Sequence, residues 1–136
     1  MTKEQKDLLL KDLCARLPYK VKVQDTYYNS LEPATIWLLD LNAQKVRLFA
    51  DEGYQSIEYI KPYLFPLSSM NEEQYNEFFT YFHDVEMKEI ETSGDYLKAA
   101  YLGEDAKRDW LNRNHFDYRY LIEKELAIDA TGLNIY

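Results

Sequence analysis

A chain of 136 residues with 46% hydrophobic and 29% charged side chains can bury a genuine core, so wholesale disorder is excluded and one domain spanning 1–136 is expected. Its net charge of −8 argues against wrapping a nucleic-acid backbone, which needs a basic face. One cysteine, Cys14, rules out an internal disulfide, and no apolar run approaches the roughly 18 residues of a membrane helix.

The charge is unevenly placed. Residues 1–70 hold nine basic and nine acidic side chains, whereas residues 71–136 hold seven basic against fifteen acidic, the whole of the net charge. The first residues, Met-Thr-Lys-Glu-Gln-Lys-Asp, are charged where a signal peptide turns apolar, which points to a cytoplasmic protein. The 13 tyrosines outnumber 6 phenylalanines and 2 tryptophans. Tyrosine packs its ring and keeps its hydroxyl wet, which suits core rims and interfaces alike.

A helix is expected over residues 1–17. Thr2 and Gln5 fit a capping box, Leu10, Leu13, Cys14 and Leu17 share a face, and Pro18 stops the helix. On this pattern Cys14 is a small buried hydrophobe. Residues 19–62 read as a small curled antiparallel sheet, an SH3-like open barrel or meander. Tyr19 to Val23 alternates, Thr35 to Leu39 is apolar enough to be buried on both sides, and Lys45 to Phe49 alternates again. Asp51-Glu52-Gly53 is a turn signal, Tyr54 to Ile60 a fourth strand, and Lys61-Pro62 ends the sheet. The polar stretch between Asp25 and Pro33, with Tyr27 and Tyr28, reads as a projecting loop.

Residues 63–67 form an apolar connector that packs against the sheet. Residues 69–126 read as mainly helical, packed on the sheet, which makes the fold α+β. Ser69 and Glu72 fit a capping box, and Tyr75, Phe78, Phe79 and Phe82 form one stripe. Residues 85–103 carry mixed signals, with a break at Ser93-Gly94-Asp95. A helix over residues 104–114 turns Ala106, Trp110 and Leu111 inward, and Asp117 resembles the N-cap of a last short helix through Leu121, Ile122 and Leu126.

Motifs for phosphate loops, nucleophile elbows and zinc sites are missing, so no metal or cofactor is expected. The densest chemistry lies at Asn114-His115-Phe116-Asp117-Tyr118-Arg119. His115 could act as a base oriented by Asp117, with Arg119 as an anion contact; the same letters also serve as helix caps, a core plug and an ion pair. His83-Asp84 reads as a helix exit, where His suits the terminal carbonyls. Lys20, Lys22, Lys45 and Arg47 give the open face of the sheet a cationic, aromatic character.

Three stretches, 13–23, 59–70 and 110–124, resemble a family of small uncharacterised proteins encoded by gut Bacteroidetes and their prophages and mobile elements. In that pattern a glycine follows Asp117-Tyr118-Arg119, where this chain has Tyr120, and a small residue stands at the place of Glu125. The resemblance implies origin and no chemistry. Three readings follow. The leading one is a non-catalytic interaction protein that binds a protein partner through a tyrosine-rich surface, with Tyr27, Tyr28, Lys20, Lys22 and Arg47 as contacts. The second is an acidic nucleic-acid mimic, which requires the acids of residues 72–129 to share one face. The third is a small hydrolase built on His115 and Asp117. Oligomeric state is left open.

Overall fold

The computed structural model describes residues 1–28, 32–48 and 53–136. The end of the third expected strand at Phe49 and the turn residues Asp51 and Glu52 lie outside the described residues.

Helix α1 (Lys3–Arg16) starts at the expected capping box, in which the Thr2 hydroxyl accepts from the Gln5 amide and the Gln5 side chain accepts from the Thr2 amide. A 3-10 turn (Leu17–Tyr19) carries Pro18 at its start and ends at Lys20 with φ +56°. Six short strands follow the helix in the sheet path: β1 (Lys22–Asp25), β2 (Ala34–Asp40), β3 (Lys45–Leu48), β4 (Tyr54–Ser56), β5 (Ile60–Pro66) and, far along the chain, β6 (Phe116–Asp117). Their spatial order is β4-β3-β2-β1-β5-β6, and β7 (Ile128–Asp129) also pairs with β5.

The meander expectation holds for β1 to β4, and the sheet stays open instead of closing into a barrel. Two corrections follow from β5. The expected fourth strand ends at Ser56 in a 3-10 turn (Ile57–Tyr59), and the chain then crosses back to lie antiparallel to β1. Lys61-Pro62 therefore does not end the sheet. β5 pairs with β1 over 60–62 and with β7 and β6, in parallel, over 63–66, so each proline falls where one ladder stops and its missing N–H costs nothing inside a ladder. The sheet is consequently mixed, not wholly antiparallel.

α1 covers one face of this sheet. Leu9, Leu10 and Leu13 pack on Val21, Val23, Ile36, Val46, Leu48, Ile57, Ile60 and Leu64, with Leu121, Leu126 and Ala127 closing the cluster. The buried face of α1 runs through 9, 12, 13 and 16, so it includes Asp12 and Arg16, both fully buried. Cys14 is thereby turned outward and is exposed, contrary to the buried placement expected from its apolar neighbours.

The second half is a helical hairpin. α2 (Glu72–Ser93) is capped by Asn71 and Gln74, two residues beyond the expected Ser69, whose hydroxyl instead donates to the Pro66 carbonyl. Residues 85–103 resolve into the end of α2, a Gly94 C-cap at φ +67°, an Asp95 N-cap and the start of α3 (Tyr96–Arg113). α2 thus runs ten residues past His83, which is no helix exit; its ring stacks on Phe79 at 5.2 Å. The hairpin is fixed at its root. Trp110 stacks on Phe116 (5.7 Å, 10°) and meets Phe78 (5.3 Å), while Asp109 accepts hydrogen bonds from Tyr19 and Tyr81.

The last expected helix does not form. Asp117 accepts from the amides of Leu121 and Ile122 and caps a series of turns, and Tyr120 and Glu125 are left-handed at φ +58° and +60°. A left-handed residue with a Cβ costs about 1–2 kcal/mol, and glycine at the same place gives up about half of that gain to unfolded-state entropy. Tyr120→Gly and Glu125→Gly are each expected to raise stability by about 0.5–1 kcal/mol, read from urea unfolding at constant m. Asp12→Ala is expected to cost about 3–5 kcal/mol in the same assay, because it strands two guanidinium groups at a buried site; a loss below about 1 kcal/mol would show the pair to be dispensable.

Candidate interaction surface

The face of the sheet opposite α1 is open. Strand alternation sends Val23, Ile36, Val46 and Leu48 inward and Lys22, Gln24, Lys45, Arg47 and Lys61 outward. In β2 the register with β3 slips between Ile36 and Leu38. Such a bulge inserts an unpaired residue and turns two consecutive side chains to one side. Trp37 (53% exposed) and Leu38 (41% exposed) therefore both face solvent, where the run Thr35 to Leu39 was expected to be buried on both sides.

The rest of the surface follows from register. Arg47 pairs with Leu38 on one side and with Tyr54 on the other, so Leu38, Arg47 and Tyr54 form a row across β2, β3 and β4. The Arg47 guanidinium lies 4.9 Å from the centre of the Trp37 ring, a cation–π contact that holds both side chains in place. Tyr54, half exposed, ends the row on the edge strand. Lys22 and Lys61 on β1 and β5 add cations to this face, and Lys45 stands opposite Asp40 at its end. Cation beside exposed aromatic, preset by strand register, is an arrangement that binds by desolvation and charge together.

The sequence-derived contacts divide. Arg47 belongs to this row and Lys22 to the cations beside it. Lys20 precedes β1 in the left-handed turn, and Tyr27 and Tyr28 follow its other end, so they lie at opposite ends of the strand. Tyr27 meets Tyr28 and Tyr59 edge-on at 4.9 and 5.1 Å, a separate exposed aromatic cluster. Trp37, Leu38 and Tyr54 went unnamed as contacts. The tyrosines do not gather into one patch: the exposed ones spread over the loop, β4, both helices and the C-terminal segment.

The structure does not bring His115 and Asp117 together as base and orienter. Both Asp117 oxygens are taken by backbone amides. His115 is left-handed at φ +63°, its ring stacks on Tyr136 at 3.6 Å, and its carbonyl accepts from the Phe65 amide. Its Nδ1 is buried without a hydrogen-bond partner among the described residues. Arg119 reaches away, to Asp12 and to the Tyr118 hydroxyl, both at 2.9 Å. A cleft of about 440 Å³ beside the imidazole is lined by Phe65, Asn71, Arg113, Thr131 and Tyr136. No group of three or more metal-binding side chains occurs among the described residues. In the same region Tyr136 donates to the Tyr63 carbonyl and accepts from the Lys22 amide, and burial pushes its phenol up to about 12.

Comparison with protein-family models, with curated proteins and with solved structures found no match to this chain.

Burial, reinforced by the charge of Arg16, holds the His115 imidazole down at about 4 against an ordinary 6.5. The folded protein keeps this ring neutral while the unfolded chain takes up a proton below 6.5, so stability is full above pH 6.5 and falls between pH 6.5 and 4. His115→Gln is expected to flatten that part of the stability–pH curve, measured by urea unfolding at each pH.

Proposed function

We propose that the protein is a non-catalytic interaction protein, encoded by a phage or mobile element and acting in the cytoplasm, that binds a protein partner through the open face of its sheet. The observation that carries this reading is the bulge in β2, which sets Trp37 and Leu38 side by side in solvent beneath the Arg47 guanidinium. An exposed aromatic–cationic cluster of this kind is where binding energy concentrates when a partner excludes water from it. The same bulge lets Ile36 and Leu39, three residues apart, both face inward, so the core keeps its contacts while Trp37 and Leu38 turn out.

A second reading, the acidic nucleic-acid mimic, is favoured by one feature of α2. Glu73, Glu77, Asp84 and Glu91 recur on one exposed stripe of the helix. The acids of α3 are neutralised locally, in pairs of 2.8 Å between Glu104 and Lys107 and between Asp105 and Arg108. Asp117 is buried in its cap. The fifteen acids therefore do not share one face, which leaves a mimic only a single row of four.

The first reading is tested with a photoreactive amino acid at position 38 and, as a control, at exposed position 123. The expected result is one protein captured from host extract by position 38 alone, with Trp37→Ala weakening that capture at least about tenfold, as loss of a hot-spot tryptophan does. Equal capture from both positions, or none, would remove the sheet face from consideration.

A further inference from the structure

We infer that the sheet face receives the α2 helix of a second copy of this chain, so that molecules associate head to tail. This names the partner class for the surface proposed above and rests on that reading.

Two halves of one molecule carry the argument. The sheet face offers Lys22, Lys45, Arg47 and Lys61 around Trp37, Leu38 and Tyr54, with Asp40 opposite Lys45, so cations outnumber acids there. α2 offers the reverse charge. It holds seven carboxylates against one lysine, and none of its 22 residues is buried. Its outward stripe reads Glu73, Glu77, Thr80, Asp84, Met87 and Glu91, every one exposed, at the alternating spacing of four and three that keeps side chains on a single helix face. Among the described residues none of those four carboxylates enters an ion pair. Carboxylates seven residues apart stand about 10.5 Å apart along a helix. Alternate strands of a sheet stand about 10 Å apart. A helix laid across the strands therefore presents its charges at a pitch comparable with that of the cations, with Met87 set among the aromatic rings.

Charge also decides between arrangements. A two-fold contact through α2 would oppose two acidic stripes, and one through the sheet face would oppose two sets of cations. Only the unlike pair attracts. Because that contact joins different surfaces, each copy keeps one of each free, and association continues into chains or a ring instead of stopping at a dimer.

Sedimentation velocity on the full chain tests this. At about 10 mM salt, where charges act over about 30 Å, the sedimentation coefficient should rise with concentration, and at about 1 M salt it should not. Trp37→Ala/Arg47→Glu disables the sheet face and Glu77→Lys/Asp84→Lys disables the helix. Each variant alone should be monomeric with an unchanged circular dichroism spectrum. Mixed in equal amounts, they should form a one-to-one dimer and nothing larger, because one live face of each kind remains. A wild-type protein that stays monomeric at low salt overturns the inference, as does a variant that still self-associates. In either case capture of a different protein from position 38 would keep the sheet face as a binding surface, so the two readings fail separately.

Discussion

The arrangement depends on a carboxylate buried inside the contact between the first helix and the C-terminal segment. Asp12 accepts from Arg16 at 2.8 Å and from Arg119 at 2.9 Å, and Arg16 donates onward to the Phe116 carbonyl at 2.6 Å. Arg119 also lies 4.6 Å from the Tyr118 ring, whose hydroxyl donates to Asn112. One charged knot thus joins α1, the end of α3 and the parallel strand β6, across more than a hundred residues of sequence. Desolvating these ions is expensive, and their mutual attraction with several hydrogen bonds offsets it only in this geometry. Such a knot contributes little net stability but strongly disfavours any other docking of α1, because every alternative strands a charge.

That constraint explains how the two candidate surfaces come to be open. With α1 committed to one face of the sheet and the segment after α3 committed to β5, no element among the described residues remains to cover the outer side of β2, β3 and β4. The hairpin is likewise held at its root by Trp110, Phe78 and Phe116, and α2 packs mainly on α3. Exposed apolar side chains follow at Trp37 and Leu38 on the sheet and at Phe79, Met87, Leu97 and Tyr101 on the hairpin.

Sequence patterning revealed elements well and faces poorly. The capping box at Thr2, the alternation around Val46, the Phe-rich helix and the break at Gly94 were all readable, because local hydrogen bonding and periodicity act over a few residues. Three features were not. Asp12 and Arg16 look like one more exposed i, i+4 pair until α1 is docked, and their partners lie about a hundred residues away. The β2 bulge leaves no local mark, since Ile-Trp-Leu-Leu is as good a doubly buried strand as a half-open one. The turns after Asp117 imitate a helix start, because an aspartate accepting amide hydrogens looks alike in both, and Tyr120 and Glu125 hide left-handed positions that glycine would have announced. The candidate site was legible only in its charges: Arg47 and Lys22 were named, and the aromatic residues they frame were not.

The division of charge along the chain takes on a spatial meaning here. A net-neutral first half and an acidic second half could have folded into one evenly mixed surface, and α3 shows how, with each of its outward acids beside a lysine or arginine one turn away. α2 departs from that rule. Its four stripe acids span about 27 Å of helix, and its one lysine, Lys88, stands between Asp84 and Glu91 without forming an ion pair with either. Glu73 and Glu77, four residues apart, repel and lower helix stability by a few tenths of a kcal/mol. Solubility alone would be met as well by scattered acids. The regular spacing of Glu77, Asp84 and Glu91 is the feature that a partner surface of matching pitch would use.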